Sequence, residues 1–373
     1  MPTDQLADQS SGQLTGQLTE LGFYTLPGHS GTPRDLVAEV RAGEELGLGA
    51  AFVSERFSTK DAATLCGAAG ALTETLGIAT AATNHHTRHP LVTATFATTM
   101  HRLTGGRFAL GLGRGFDQFW TAVGLSPVTS AQLEDMAGLL RRLWHGELVL
   151  GHDGPAGKYP YLHQDPDFDE DVPLLLAALG PKSLELAGRC MDGVVLHTYF
   201  SDTALTASVE AVRRGAGAAG RDPDGIRIWS VLATVGDHVA PQDRLRRTVG
   251  RLATYLLGYG DILVRVNDWD PVVLARFRAD ELVQGFRGAF DARADDRQLE
   301  HLATLLPDEW LAASATGTAE QCAAAVVRQF ELGATGVILH GVSPDEVAPV
   351  VEAYRKIRPL SVTGLPANPG RLS

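Results

Sequence analysis

Short apolar runs alternate with stretches of helical apolar spacing along most of this 373-residue chain. Several runs are almost continuously apolar, which is typical of strands in a parallel sheet that is covered on both faces. Eight strand-and-helix units in succession favour an α/β fold of the closed (β/α)8 TIM barrel class over an open doubly wound sheet. The predicted strands are Leu21–Leu26, Ala50–Ser54, Ile78–Thr83, Phe108–Gly113, Pro173–Leu179, Val194–His197, Ile226–Val235 and Gly336–His340.

Four segments fall outside this alternation. Residues 1–20 are polar and predict a flexible N-terminal segment, and residues 358–373 predict a tail that is ordered only where it docks. Residues 146–170 predict an irregular excursion. Residues 256–307 carry helical patterns and predict a long insertion before the last unit, which we expect to cover the carboxyl ends of the strands. The remaining chain, residues 21–357, is expected to form a single barrel domain around that insertion.

The charge balance restricts the classes of partner. Asp and Glu number 44 against 32 Lys and Arg, which gives a formal net charge of −12. Sequence-independent nucleic-acid binding needs basic side chains at the phosphates, so that class is excluded. No apolar run is long enough for a signal peptide or membrane span, and three widely spaced cysteines favour neither a disulfide framework nor a CxxC site. We expect a cytoplasmic homodimer that acts on a small molecule, with no nucleic-acid or membrane partner.

Polar residues follow the predicted strands, at the end of the barrel where active sites lie. After strand two, Glu55 and Arg56 could form an ion pair at the rim. Glu55 could instead bind a heterocycle N–H or assist proton transfer. After strand three, His85, His86 and His89 lack an HExxH pattern and a carboxylate at ligand spacing, so we expect no metal. They predict either a pocket wall that hydrogen-bonds a substrate or ring, or a cap for the helix that begins at Pro90.

Glycines are abundant, at 41 residues, and two groups of them lie at strand ends. The GLGRG run at residues 111–115 ends the fourth strand, whereas a Rossmann fingerprint follows the first strand and opens a helix. These glycines either give a flat ligand close access to the backbone or simply form turns.

The second group joins strand five to its helix. Gly180, Pro181, Lys182 and Ser183 combine the open N–H groups of a helix start with a nearby cation. This arrangement predicts a phosphate site, although an ordinary turn would have the same residues.

Four ordered segments resemble the bacterial luciferase-like flavin and deazaflavin oxidoreductases, and in particular the branch that uses coenzyme F420. The resemblance is strong over residues 20–200 and looser over 316–345. The segments are AGEELG at 42–47 with AFVSERF at 51–57, LGIAT at 76–80 leading to Arg88-His89-Pro90, LTGGRFALGLGRG at 103–115, and PLLLAALGPKS at 173–183 with Leu186-Ala187-Gly188.

The resemblance implies a cofactor site at the strand ends. A non-proline cis peptide under the ring would fall near Thr80 and Ala81, and Glu55 takes the place of an acidic residue near the ring. The remaining cofactor-binding positions that it implies are Gly113, Ala178, Leu179, Gly180 and His197. Two departures stand out: Arg56 replaces a His found in some F420-dependent relatives, and Asp308 and Glu309 replace a pattern with a lysine before the Trp at Trp310.

From these residues and the resemblance we predict an F420-dependent oxidoreductase that moves a hydride between the deazaflavin C5 and a small organic substrate. Glu55, His85 and His86 are the expected catalytic residues, and Gly180, Pro181, Lys182 and Ser183 are expected to hold the phosphate. Two alternatives share the fold. One is an FMN-dependent monooxygenase, and the other is a non-catalytic protein that binds F420 or a flavin.

Overall fold

Parallel strands form a closed barrel in the computed structural model, which describes residues 16–28, 30–57, 59–164 and 167–373. Within those residues, eight strands pair in parallel around the barrel in the order β1-β2-β3-β4-β7-β8-β9-β11, and β11 pairs back with β1. The predicted (β/α)8 TIM barrel is therefore confirmed. The barrel strands are β1 Leu18–Tyr24, β2 Leu48–Val53, β3 Gly77–Thr80, β4 Phe108–Gly113, β7 Leu174–Ala177, β8 Gly193–Val195, β9 Arg227–Gly236 and β11 Gly336–His340.

Helices follow most of the barrel strands and cover its outer face. The helices of the repeated units are α1 Leu36–Glu45, α2 Ala62–Leu72, α3 Pro90–Leu103, α4 Asp117–Ala122, α5 Ser130–Trp144, α6 Pro181–Cys190, α7 Asp202–Ala218, α15 Ala319–Glu331 and α16 Pro344–Ile357. Among the described residues, no helix is both long and apolar enough to cross a membrane.

The insertion after β9 is helical, as its apolar pattern predicts. It begins with α8 Pro241–Leu245, continues through a π-helical turn at Arg246–Gly250, and leads directly into the long helix α9 Arg251–Asn267. The rest consists of α10 Pro271–Ala279, α11 Glu281–Gly285, α12 Phe290–Arg293, α13 Asp296–Leu305 and α14 Asp308–Leu311. The short strand β10 Ala315–Gly317 then pairs with the end of β9.

The excursion at 146–170 is more regular than expected. It contains an antiparallel hairpin of β5 Val149–Gly154 and β6 Gly157–Leu162. The sequence hides the hairpin because only its end residues, Val149 and Leu162, are buried and the residues between them show no apolar alternation.

The boundary of the N-terminal segment also differs from the prediction. Strand β1 begins at Leu18, so residues 18–20 belong to the barrel, whereas residues 1–15 lie outside the described residues. Glu20 explains the error, because a polar residue in this segment is fully buried. Its carboxylate accepts hydrogen bonds from Tyr354 Oη at 2.9 Å and from Arg358 Nη2 at 2.7 Å.

Two layers of apolar side chains hold the barrel together. The larger layer lies between the strands and the helices, and the smaller fills the barrel interior with residues such as Phe52, Trp229 and Leu175. Phe52 and Trp229 meet edge to face with ring centroids 4.9 Å apart. Gly22 faces this pair, since a Cβ there would lie 2.6 Å from Cε2 of Phe52. The interior is therefore a packed core below the mouth.

The tail closes the opposite end of the barrel. Asn368 is buried and donates from Nδ2 to the carbonyl oxygens of Gly106 at 2.6 Å and Phe108 at 2.9 Å. Trp229 Nε1 donates to the Pro369 carbonyl at 2.6 Å. Residues 368 and 369 thus close the barrel at the amino ends of the strands.

Candidate functional site

One side of the barrel mouth is built from very small residues. Ala81, Gly113 and Ala177 follow or end strands β3, β4 and β7. A Cβ added to Gly113 would lie 3.0 Å from Cβ of Ala82 and 3.8 Å from Cβ of Ala177, so these positions adjoin one another. We call Ala81, Ala82, Gly113 and Ala177 the small-residue floor. It offers backbone and methyl groups to a flat ligand.

A non-proline cis peptide lies within this floor. It joins Ala81 to Ala82, one residue later than the bond expected near Thr80 and Ala81. The Ala82 carbonyl accepts a hydrogen bond from the backbone N–H of Glu55 at 3.2 Å. The expected feature is thus present, shifted by one residue.

The side chain of Thr80 forms hydrogen bonds to the neighbouring strand β4. Its Oγ1 donates to the Gly111 carbonyl at 2.8 Å and accepts from the Gly111 N–H at 2.7 Å. The side chain is fully buried. A contact between Thr80 and a ligand at the mouth therefore has to involve its backbone.

Glu55 lies beside the floor, but its carboxylate is already engaged. Oε2 accepts from Thr83 Oγ1 at 2.6 Å and Asn84 Nδ2 at 2.9 Å. Arg88 donates to both carboxylate oxygens, at 2.5 Å to Oε1 and 3.1 Å to Oε2. The possible rim ion pair with Arg56 is wrong, because the ion-pair partner is Arg88, which the loop after β3 brings back to the barrel.

The Glu55 contacts set the shape of the loop that carries His85 and His86. His85 is only 5% exposed, and neither ring nitrogen has a hydrogen-bond partner within the described chain. Burial, with a smaller contribution from His86, lowers the pKa of His85 to about 4. His86 Nε2 lies 2.7 Å from the Ser126 carbonyl oxygen. His85 is therefore a neutral imidazole whose ring nitrogens are both available for hydrogen bonds, whereas His86 is held by the Ser126 carbonyl.

One of the three histidines after strand three caps the helix that begins at Pro90. The N-cap of α3 is His89, whose Nδ1 accepts from the Leu91 N–H at 3.3 Å. The capping interpretation is therefore confirmed for His89, whereas His85 and His86 do not cap this helix. No group of three or more His, Cys, Asp or Glu residues in the described chain is arranged to hold a metal ion.

The predicted phosphate residues lie at the start of α6. Gly180 is the N-cap and has no side chain to satisfy the first N–H groups of the helix, and Pro181 occupies the first turn. Lys182 is exposed, Ser183 is partly exposed, and Ala178 and Leu179 lead into the turn from β7. A Cβ at Gly180 would lie 2.9 Å from Cδ1 of Ile262 on α9, so the insertion flanks this turn.

Helix α9 crosses the mouth from the side of β11 toward this turn. Tyr255 Oη lies 3.2 Å from His340 Nε2, and its ring lies 4.8 Å from that of His197. One turn further on, Tyr259 lies 5.2 Å from His197 and stacks on Phe116 at 4.3 Å. The predicted cover over the strand ends is thus provided by one face of α9.

His197 follows β8, the strand next to β7, and its ring lies against Tyr255 and Tyr259 of α9. Its Nδ1 lies 2.9 Å from the Thr198 carbonyl oxygen, and burial lowers its pKa to about 4. The predicted site residues therefore divide into three groups: the floor, the α6 turn, and an aromatic wall with His197.

Sequence reasoning missed several residues at the mouth. Arg88 was visible in the histidine-rich loop, but its partner Glu55 lies 33 residues away. Arg251, Tyr255 and Tyr259 fall four residues apart, and this helical spacing could have identified the face of α9.

Comparison with known proteins places the chain in a family. A family model described as luciferase-like monooxygenase matches residues 8–336. The 5,10-methylenetetrahydromethanopterin reductase of Methanolobus tindarius is 26% identical over 313 residues, covering 82% of this chain and 91% of the reductase.

Two solved structures share the fold. The coenzyme F420-dependent tetrahydromethanopterin reductase of Methanopyrus kandleri has a TM-score of 0.74 at 18% identity, covering 91% of this chain and 99% of that one. The oxygenating constituent of 3,6-diketocamphane monooxygenase from Pseudomonas putida, in complex with FMN, has a TM-score of 0.58 at 18% identity, covering 91% and 96%. With the barrel, the cis peptide and the family match over most of its length, the chain belongs to the luciferase-like monooxygenase family.

Proposed function

We propose that this oxidoreductase uses coenzyme F420 to transfer a hydride to or from a small organic substrate. The observation that carries the proposal is the small-residue floor at the mouth, with its cis peptide at Ala81–Ala82. The similarity to the methylenetetrahydromethanopterin reductase supports F420 as the cofactor.

The residues present fit a flat ring that carries a phosphate. Ala81 and Gly113 would lie against the ring, because neither has a side chain beyond Cβ that would fill the space. Ala178, Leu179 and Gly180 would line the path to the phosphate. Pro181, Lys182 and Ser183 would hold it at the uncapped start of α6, where N–H groups and a cation favour an anion. When bound, F420 supplies a hydride donor or acceptor at C5 of its deazaflavin ring.

The protein's own groups would orient the substrate and exchange hydrogen bonds or a proton with it. His85 suits this role, since it is neutral and both ring nitrogens lack partners. His86 is tied to Ser126 and would support His85 through ring contact, at 4.6 Å between centroids. Four hydrogen bonds to Glu55 favour a positioning role for this carboxylate over direct proton transfer, which remains a prediction from the sequence.

The alternative cofactor is FMN. The specific observation in its favour is the shared fold with a monooxygenase component solved with FMN. A small-residue floor and a phosphate turn serve either cofactor, so the choice requires a measurement.

Titration of the purified protein with F420 and with FMN, followed by fluorescence, tests the cofactor. We expect F420 to bind at least tenfold more tightly than FMN. Gly113→Ala should weaken F420 binding at least tenfold, because its methyl group would enter the floor 3.0 Å from Ala82 Cβ. Gly138→Ala on α5 is the matched control, since a Cβ there meets nothing within 4 Å. FMN binding that is as tight as F420 binding, or tighter, would refute the F420 proposal.

A further inference from the structure

The hydroxyl of Tyr255 belongs to a small polar group at the mouth of the barrel. Tyr255 lies on α9 and is partly exposed, and its Oη lies 3.2 Å from Nε2 of His340 at the end of β11. Arg251, one turn earlier on the same helix, places Nη1 3.1 Å from the same nitrogen. His340 is 7% exposed and Arg251 4% exposed, so Tyr255 is the member that a ligand reaches first. We call Arg251, Tyr255 and His340 the polar triad.

The hydrogen-bonding capacity of the polar triad assigns its protons. A guanidinium only donates, so His340 Nε2 accepts from Arg251 and carries no proton. Burial, followed by the charge of Arg251, holds the pKa of His340 well below that of an ordinary histidine. The ring is therefore neutral, and its one acceptor nitrogen is already used by Arg251. The O–H of Tyr255 competes for an occupied acceptor, so it can rotate toward a ligand at little cost.

Other tyrosines near the mouth do not combine these properties. Tyr199 Oη donates to the Thr248 carbonyl at 2.9 Å, and this residue is fully buried. Burial raises the pKa of Tyr24 and of Tyr259, and the charge of Tyr255 raises both further. These two hydroxyls therefore release a proton less readily than an ordinary tyrosine does. Tyr255 combines an accessible position, an available proton and an adjacent guanidinium.

Arg251 can stabilise the charge that Tyr255 would carry after giving up a proton. Burial acts to lower the pKa of Arg251, but the attraction of groups that include Tyr255 and Asp291 outweighs burial and raises it. Asp291 Oδ2 lies 3.0 Å from Arg251 Nη2 and holds that side of the guanidinium in place. A phenolate beside a fixed guanidinium is stabilised by a charge-assisted hydrogen bond. The polar triad can therefore lend a proton and take it back.

The walls around Tyr255 are aromatic. Its ring lies 4.8 Å from that of His197, and the ring of Tyr24 lies 5.1 Å from that of His340. Burial lowers the pKa of His197 to about 4, so this ring is neutral, as is that of His340. A ligand at the Tyr255 hydroxyl therefore meets flat, uncharged rings and one O–H donor. Such surroundings suit a carbonyl group on an apolar or aromatic skeleton.

We propose that Tyr255 is a catalytic residue that donates its proton to the oxygen of a ketone substrate. The proposal rests on the proposed function, because the hydride is that of a reduced deazaflavin. In the reducing direction the carbonyl carbon forms a C–H bond with this hydride, the C=O double bond becomes single, and the oxygen takes the proton from Tyr255 Oη. The ketone is thereby reduced to an alcohol, with oxidation of the deazaflavin. The phenolate, held by Arg251, regains its proton from water.

Binding of acetophenone and isopropenylbenzene tests the contact without cofactor or turnover. The two probes have nearly the same shape, and isopropenylbenzene carries CH2 in place of the carbonyl oxygen. We expect the wild type to bind acetophenone about three- to tenfold more tightly in NMR titrations, the scale of one hydrogen bond. Tyr255→Phe keeps the ring and should remove this preference. Tyr161→Phe, at a 59% exposed tyrosine of the β5–β6 hairpin, is the matched control and should retain it.

Two further measurements distinguish a contact with the substrate from a structural role. The carbonyl carbon resonance of acetophenone moves downfield when its oxygen accepts a hydrogen bond, so binding should shift it in the wild type and not in Tyr255→Phe. With reduced F420 supplied, the wild type should reduce members of a panel of alkyl and aryl ketones. Tyr255→Phe should lower kcat for those ketones about a hundredfold or more, the scale of general acid catalysis.

Several outcomes would overturn the proposal. Equal binding of the two probes to the wild type, or binding of neither, does so without any variant. A ketone preference, a carbonyl shift or a wild-type kcat that survives Tyr255→Phe does so as well, as does a wild type that binds F420 and reduces no ketone of the panel. A ketone preference that depends on Tyr255 in a protein without affinity for F420 would keep the contact and refute the proposed cofactor.

Discussion

The ion pair between Glu55 and Arg88 gives a prediction about stability that separates two roles for Glu55. Glu55→Gln keeps the shape of the side chain and one oxygen. If that oxygen stays at the Oε2 position, it still accepts from Thr83 and Asn84. The amide nitrogen then takes the place of Oε1, which lies 2.5 Å from Arg88 Nη2. Both groups are hydrogen-bond donors, so this hydrogen bond is lost.

The expected loss follows from burial. Glu55 is 5% exposed and Arg88 14% exposed, so water cannot replace the lost acceptor easily. Breaking a buried ion pair costs about 3–5 kcal/mol, and a single hydrogen bond to a charged group contributes about 1.5–3 kcal/mol. Asp61 remains as a second partner of Arg88 Nη2 at 2.6 Å, which limits the damage. We therefore expect the free energy of unfolding to fall by about 2–3 kcal/mol.

Asp61→Asn is the matched control because it removes the other carboxylate from the same guanidinium. Asp61 is 53% exposed, and exposed pairs contribute about 0–1 kcal/mol. Asparagine also keeps the N-cap of α2, where Asp61 Oδ2 accepts the Thr64 N–H at 2.8 Å. The control should therefore change stability by less than about 1 kcal/mol.

Urea unfolding at pH 7, followed by tryptophan fluorescence and far-UV circular dichroism, measures both variants. A loss under about 1 kcal/mol for Glu55→Gln, or equal losses for the two variants, would refute the role assigned to the buried pair. A proton-transfer role alone predicts lost turnover with unchanged stability, so the combined result distinguishes positioning from catalysis.

Three further predictions concern other parts of the site. Thr80→Val leaves the buried N–H of Gly111 without a partner, while the Gly111 carbonyl keeps the Thr83 N–H at 2.9 Å, so urea unfolding should show a loss of about 1–3 kcal/mol. In the folded protein the pKa of His85 is about 4, against 6.5 for an ordinary histidine. Between these pH values only the unfolded state binds a proton at this residue. The free energy of unfolding should therefore fall as the pH is lowered from 6.5 to 4. His85→Gln should reduce that pH dependence by up to about 3 kcal/mol in urea titrations. Lys182→Ala should weaken F420 binding by about 1–3 kcal/mol without changing stability, as measured by fluorescence titration.

Each of these has its own check. Thr206→Val removes an exposed hydroxyl that donates to Asp202 and should be nearly neutral. Parallel pH curves for the wild type and His85→Gln would show that this imidazole is not held neutral by burial. Lys158→Ala, at an exposed lysine on the β5–β6 hairpin, is the control for Lys182. Equal F420 affinity in both lysine variants would place the phosphate elsewhere.

The sequence predicted the elements better than the partners of the side chains. Strands β4 and β11 begin and end at the residues that their apolar runs predict, and helix α3 begins at Pro90 as expected. These signals are local, so a few neighbouring residues determine them. Strand β1 began earlier than expected because burial of Glu20 depends on Arg358, at the other end of the sequence.

In the candidate site, too, the locally determined features were predicted and the long-range side-chain pairs were not. The glycine-rich strand ends correctly indicated the floor, because close backbone approach demands small residues in the sequence itself. Nothing local indicated that Arg88 would pair with Glu55, or that Arg251 would lie beside His340. Such pairs are set by how the barrel closes, and closure brings together residues from different strands.

The docked tail also has a consequence for the order of assembly. The bond from Trp229 to Pro369 spans 140 residues, and the ion pair from Glu20 to Arg358 spans 338. During synthesis, strands β1 to β9 emerge while strand β11 and the tail residues 368 and 369 are still absent. Contacts over such separations form late and slowly, because a long loop must be ordered before they stabilise it. We expect nascent chains halted before residue 336 to expose an open β1 edge, a surface on which chaperones act.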